Sequence, residues 1–261
     1  MSAVQFVQVD DVRLHYRLDG DPARSCVVLS NSLGTAMSMW ETQAAALAQD
    51  FRVLRYDTRG HGQSGRGSLP VTLERLGRDV VKLLDALAIP SAHFCGISMG
   101  GLTGQWLGIH APGRIGALVL ANTAARIGTT EGWTARSAQV RGAGMDAVAD
   151  GAAARWFTPD FIDHAPQTVA RMIAGPRGHD PAGYAACCDA LAGADLRADL
   201  GSIRARTLVI AGDADPVTTV ADGEWLAARI PDARLARVPA SHLSNIEAEG
   251  DVTRVIRAFL A

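Results

Sequence analysis

The sequence predicts an α/β fold on a mostly parallel sheet, and three observations lead there. Short apolar runs alternate with helical patterns along most of the 261 residues. The chain is 48% hydrophobic, enough to cover both faces of a sheet within one core. The alternation breaks in a single long stretch, 126–196, which has helical patterns and no convincing strand.

The strands come first. Val4–Val9 and Val12–Leu18 flank Asp10-Asp11 and read as an antiparallel hairpin. Cys26–Leu29, Phe51–Tyr56, Ala92–Ile97, Ala117–Ala121, Thr207–Ala211 and Ala233–Val238 follow, about eight strands in all. Among the helical stretches, Leu73, Leu76, Val80, Leu83, Leu84 and Leu87 recur at spacings of three and four and define one apolar face. The others are Trp40–Leu47, Leu102–His110, Ala221–Ile230 and Val252–Leu260. The expected organisation is one core domain, 1–125 and 197–261, with 126–196 as a helical cap between strands six and seven.

A formal charge of −2 without charged runs argues against nucleic acid or an anionic membrane as partner. The opening MSAVQFVQVDDVRLHY has no basic segment ahead of an apolar one, and no apolar run reaches the length of a membrane span. A cytoplasmic protein is expected. The four cysteines, Cys26, Cys95, Cys187 and Cys188, match neither a zinc site nor a disulfide framework. Cys26 and Cys95 lie in apolar strands and are expected to be buried, inert thiols. Neither metal nor cofactor is expected.

The strand Ala92–Ile97 runs into Gly96-Ile97-Ser98-Met99-Gly100-Gly101, and a helical pattern follows at once. This is Gly-x-Ser-x-Gly in the strand–turn–helix setting that a nucleophile elbow requires. So tight a turn strains the serine backbone and leaves no room for side chains at Gly96 and Gly100. It also holds the Ser98 hydroxyl above the C-terminal edge of the sheet, at a helix N-terminus.

A serine needs a base, and the base needs an orienter. In chain order the elbow is followed by an acid and then a histidine. Gly212-Asp213-Ala214-Asp215-Pro216 follows one strand and Ser241-His242-Leu243 the last. Asp215 is preferred over Asp213, which directly follows the strand and is expected to cap or hydrogen-bond the turn. His242 alone among the seven histidines falls after the last strand. Two backbone amides complete the set as an oxyanion hole, Met99 after the nucleophile and Leu33 in Leu29-Ser30-Asn31-Ser32-Leu33-Gly34.

Gly60-His61-Gly62-Gln63-Ser64-Gly65 also fits the dinucleotide fingerprint Gly-x-Gly-x-x-Gly. It leads into Arg66-Gly67-Ser68-Leu69-Pro70 rather than a helix, so no helix dipole would face a pyrophosphate.

With elbow, residue order and the segment Asp57-x-Arg59-Gly60-x-Gly62-x-Ser64, the whole chain resembles the α/β-hydrolases. It departs from them at Asn31-Ser32, where many relatives carry His-Gly. Four segments resemble the 3-oxoadipate enol-lactonases more narrowly: Ser30-Asn31-Ser32-Leu33-Gly34, Arg155-Trp156-Phe157-Thr158, Gly183-Tyr184-Ala185-Ala186-Cys187-Cys188 and His242-Leu243-Ser244-Asn245-Ile246-Glu247. That resemblance implies opening of an enol-lactone to 3-oxoadipate through an acyl-enzyme, in the β-ketoadipate pathway of aromatic catabolism. The alternatives are a general carboxylesterase, a cofactor-free haloperoxidase or perhydrolase, and a hydrolase-fold receptor without turnover. The implied partner is a small anionic lactone, whose carboxylate a closed pocket must pair. The cap offers Arg126, Arg136, Arg141, Arg155, Arg171 and Arg177. Trp133 and Arg136, one helical turn apart, are expected to face the site, and Trp156 joins them as a candidate substrate contact.

Overall fold

The structure, a computed structural model, describes residues 5–261. Val4, expected to open the first strand, lies outside the described residues. Eight strands form one sheet: β1 (Gln5–Val9), β2 (Val12–Asp19), β3 (Cys26–Ser30), β4 (Arg52–Tyr56), β5 (Ala92–Ile97), β6 (Ile115–Ala121), β7 (Arg206–Gly212) and β8 (Arg234–Val238). Their spatial order is β1-β2-β4-β3-β5-β6-β7-β8. β1 and β2 form the expected hairpin, β2 pairs antiparallel with β4, and every later pairing is parallel.

The sheet is flanked by α1 (Glu41–Leu47), α2 (Leu73–Ala86) and α3 (Met99–His110) in the first part of the chain. Between β6 and β7 come α4 (Thr130–Ala143), α5 (Asp146–Asp150), α6 (Ala152–Trp156), α7 (Pro159–His164), α8 (Pro166–Arg177) and α9 (Pro181–Ala192). The chain then adds α10 (Val220–Ala227), α11 (Ser244–Glu247) and α12 (Glu249–Leu260).

Two apolar layers enclose the sheet. On one face Val28, Leu54 and Phe94 pack with Leu76, Val80 and Leu83 of α2 and with Leu102 and Leu107 of α3. On the other, Val27, Leu29, Val53 and Val119 meet Trp40, Leu47, Val252 and Ile256. The strands are buried on both faces, which is why they read as continuous apolar runs.

Helix α3 begins at Met99, earlier than the apolar pattern from Leu102 suggests. The reason is local: Gly100 and Gly101 are poor helix formers that mask the start, yet only glycine fits there. A Cβ at Gly100 would lie 2.4 Å from the Ser30 carbonyl oxygen, and one at Gly101 2.6 Å from Thr123 Cβ. The C-terminal ends of β3, β5 and β6 therefore close around the start of α3. The helices between β6 and β7 reach the same rim, where Gly183 of α9 meets Gly60 so closely that a Cβ on either would overlap the other's backbone.

No helix among the described residues is long and apolar enough to cross a membrane. All four cysteines are free and buried. Burial pushes the Cys26 thiol up to about 11 and Cys188 to about 12.

Candidate active site

Ser98 stands where β5 gives way to α3 with φ 56° and ψ −116°, a backbone region that favours glycine. The turn is pinned on every side. Ser98 N donates to the carbonyls of Ala121 (3.0 Å) and Asn122 (3.1 Å), Gly100 N to Asn31 O (3.1 Å), and Thr123 Oγ1 to Ser98 O (2.8 Å). A Cβ at Gly96 would lie 2.2 Å from Gly100 O, so the residue before the elbow cannot carry a side chain without moving the backbone.

Asp215 and His242 come together from the loops after β7 and β8. His242 Nδ1 donates to Asp215 Oδ2 at 2.9 Å and lies 3.1 Å from Oδ1, which leaves Nε2 as the bare nitrogen. Ser98 and Asp215 are each 6% exposed and His242 2%. No hydrogen bond joins Ser98 Oγ to His242 among the described residues. Asp215 also accepts from the amides of Val217 (2.8 Å) and Thr218 (3.0 Å), from Thr218 Oγ1 (2.7 Å) and from Asn122 Nδ2 (3.0 Å). Burial is the largest influence on this carboxyl and would raise its pKa. The bonds from His242, Asn122 and the Thr218 amide outweigh it, so Asp215 is held below the usual carboxylate range.

The Asp213 side chain neither caps nor hydrogen-bonds the turn, contrary to expectation. Its carboxylate faces outward and pairs with Arg237 Nε at 2.7 Å across the exposed end of β8. A residue with its side chain turned to solvent cannot orient a histidine beneath it.

The Leu33 and Met99 amides donate to no backbone carbonyl among the described residues. Leu33 occupies a turn in which Thr35 N and Oγ1 both donate to Ser32 O (3.2 and 2.8 Å), with Gly34 at φ 79°. Asn31, where many relatives have histidine, donates Nδ2 to Tyr56 O at 2.8 Å and so ties the turn's base to β4.

Three residues without a role in the sequence reading hold the histidine loop. Asn122, with φ 42° at the end of β6, donates to Asp215 and to Ser241 O (3.1 Å) and accepts from Ser244 Oγ (2.5 Å). Glu247 accepts from Ser241 N (2.8 Å), and also from Thr158 N and Thr158 Oγ1 at the start of α7. Leu243 N donates to Trp156 O at 3.0 Å. Two of the resembling segments, 155–158 and 242–247, are thus hydrogen-bonded to each other. A polar residue directly after a buried strand is the only sequence signal that marks Asn122.

Trp133 and Arg136 line one cavity of about 310 Å³ together with Ile127, Arg155, Pro216 and Val217. Pro216 and Val217, which directly follow Asp215, form part of its wall, while Ser98 and His242 do not line it. The Arg136 guanidinium lies 5.1 Å from the Trp133 ring centroid, and Trp133 Nε1 donates to Ile127 O at 2.6 Å. Trp156 is elsewhere, buried near Gly34 in the opposite apolar layer. Of the six candidate arginines, Arg126, Arg141 and Arg177 are paired with Asp195, Asp189 and the carboxylates of Asp146 and Asp150. Arg171 lines a separate groove, next to Phe161 and Met172. Arg136 and Arg155 have no carboxylate partner among the described residues. Burial, and then the neighbouring Arg136 charge, hold the Arg155 guanidinium below its usual range. Arg155 donates to Val148 O at 2.7 Å but meets no carboxylate, so the two cations lining this cavity favour an anion there.

The Gly60–Gly65 loop closes on itself, with Gly60 N donating to Gly65 O at 2.9 Å. A Cβ at Gly62 would lie 2.2 Å from Asp57 Oδ2, so a protein carboxylate fills the loop. Among the described residues no group of three or more His, Cys, Asp or Glu is placed to hold a metal ion.

A family model described as alpha/beta hydrolase fold matches residues 26–249. The chain is 47% identical over 250 residues to 3-oxoadipate enol-lactonase 2 of Acinetobacter baylyi, covering 96% of this chain and 94% of that protein. Among solved structures, the enol-lactonase from Burkholderia xenovorans LB400 is 45% identical with a TM-score of 0.96, covering 98% of this chain and 99% of that one. A thermophilic esterase from Thermogutta terrifontis, with malate bound, is 25% identical with a TM-score of 0.93, covering 98% of each chain.

Proposed function

The chain belongs to the α/β-hydrolase family, and from that premise we propose that it hydrolyses 3-oxoadipate enol-lactone to 3-oxoadipate, a step of the β-ketoadipate pathway. The observation that carries the substrate class is the cavity over the Asp215 loop, where Arg136 and Arg155 lack carboxylate partners. A small lactone bearing one free carboxylate suits that charge. Residues 126–196 then serve as a cap on a core of 1–125 and 197–261. The four free cysteines support a reducing compartment, the cytoplasm.

The chemistry follows from the roles assigned here. Ser98 Oγ attacks the lactone carbonyl while His242 Nε2 takes its proton. Asp215 keeps that nitrogen bare by holding the proton on Nδ1, and it stabilises the imidazolium that forms. The Leu33 and Met99 amides receive the tetrahedral oxyanion. Collapse breaks the ring C–O bond and leaves an acyl-enzyme with its departing oxygen tethered as an enol. Such an oxygen leaves easily, and it takes the proton from the His242 imidazolium, which restores the bare Nε2 for the second half of the reaction. Water, deprotonated by His242, attacks the ester and releases the diacid.

The test is turnover of 3-oxoadipate enol-lactone beside a neutral lactone and 4-nitrophenyl acetate. The reading expects a clear preference for the anionic lactone and its loss in Ser98→Ala. Equal turnover of all three would favour a general carboxylesterase. Near-wild-type turnover in Ser98→Ala would end the serine mechanism.

A further inference from the structure

We propose that His179 is a positioning residue for the oxyanion loop, locking the turn that presents the Leu33 amide once the cap is seated. The inference rests on the hydrolase reading above.

His179 lies between α8 and α9, where Asp180 caps α9 through the Ala182 amide at 3.0 Å. Gly62 N donates to His179 Nδ1 at 3.0 Å. A ring nitrogen that accepts an amide proton carries none itself, so the ring proton is on Nε2. From there it donates to the Gly34 carbonyl, also at 3.0 Å. The imidazole, 6% exposed, therefore spans two core loops, those after β3 and β4. Both nitrogens are engaged, which leaves none for substrate. Burial lowers the pKa of His179, so the neutral form that this bonding pattern needs is the favoured one. The neighbouring His61 ring, 5.0 Å away between centroids, is pushed down to about 3 by burial and then by His179.

The turn from Ser32 to Thr35 is closed on one side by the two Thr35 bonds to Ser32 O. On its other side, the Gly34 carbonyl is held by His179. Asp57 joins the same two loops from beneath, accepting from Met37 N at 2.7 Å and Gln63 N at 2.9 Å, but its contact falls beyond the turn. Loss of the imidazole thus leaves the loops joined but releases the Gly34–Thr35 peptide, whose N–H clamps the carbonyl of the peptide that carries the Leu33 amide. The ring belongs to the same stretch as Gly183, which seats α9 on Gly60, so docking of the cap and aim of the amide are coupled.

The experiment compares wild type, S98A, His179→Leu and His179→Gln on 4-nitrophenyl acetate, with melting temperatures for each. The neutral ester keeps carboxylate pairing out of the readout. Since loss of a whole oxyanion donor costs roughly a hundred- to thousandfold, the misaimed one in His179→Leu should lower kcat about tenfold to a hundredfold, with KM within about threefold. His179→Gln should recover part of this, because its amide can still donate to Gly34 O. Wild-type kcat in His179→Leu, a deficit confined to KM, or equal losses in both variants would overturn the proposal. So would failure of both to fold, which would make the ring structural only. If the wild type shows no Ser98-dependent turnover, the hydrolase reading itself falls; if it does and the His179 variants match it, only this inference falls.

Discussion

Asn122 Nδ2 sits 3.0 Å from Asp215 Oδ2, so a neutral amide at the end of β6 steadies a buried carboxylate on the neighbouring loop. The same side chain accepts from Ser244 Oγ, which ties the acid's position to that of the histidine loop.

Asn122→Ala removes both of these bonds and a third, to Ser241 O. A buried bond to a charged acceptor contributes about 1.5–3 kcal/mol, and denaturant unfolding should show a loss of that order. The pH effect has a definite sign. Asp215 is depressed in the folded state, so its stabilising contribution is present above the unfolded carboxylate range and fades as pH falls through the folded value. Without Asn122 the folded value rises, so the acid-side loss of stability should begin at higher pH in Asn122→Ala than in the wild type. Unfolding free energies that fall with pH in parallel for the two proteins would show that Asn122 has no hold on the acid.

Ser98 pays a conformational penalty that glycine would not. Strain of this kind costs roughly 1–3 kcal/mol, offset in part by glycine's greater freedom when unfolded. Ser98→Gly should therefore be inactive yet more stable than Ser98→Ala, by about 1 kcal/mol. Calorimetry on the two inactive variants checks it, with equal melting temperatures as the contrary result.

Arg136→Leu should raise KM for the anionic lactone about tenfold or more, the scale of one charged hydrogen bond, and leave 4-nitrophenyl acetate unchanged. Arg155 remains beside the cavity, so the double variant should lose more. Equal effects on charged and neutral substrates would refute the pairing.

Gly183→Ala places a methyl 2.5 Å from Gly60 Cα, backbone that cannot simply swing aside. A loss of roughly 1–3 kcal/mol is expected, as for overpacking elsewhere. Gly175→Ala in α8 is the control. No atom lies within 4 Å of its added Cβ, and the change should be neutral or slightly stabilising.

The strands were legible because burial on both faces writes them as unbroken apolar runs, and α2 because its apolar face repeats at helical spacing. Ser98 could be singled out since the elbow's demands are local and leave glycines in sequence. Asp215 and His242 could be ordered along the chain, but their contact spans 27 residues and only the sheet brings them together. Asn122 and Glu247 escaped because nothing beside them in sequence records partners 93 and 89 residues away. Trp156 stands apart from Trp133 and Arg136, because helical spacing relates residues within α4 only, whereas α6 sets its tryptophan beside Gly34.

The buried thiols give this protein an internal gauge of opening. Cys26 and Cys95 are sealed within β3 and β5, and Cys187 and Cys188 within α9. A thiol reagent such as Ellman's should find the folded chain unreactive. Should α4–α9 lift as one body, Cys187, whose thiol faces Arg59 O, opens to the reagent while Cys26 and Cys95 stay silent until the sheet comes apart. The order in which the sulfurs are modified would thus separate opening of those helices from melting of the whole, with no probe added.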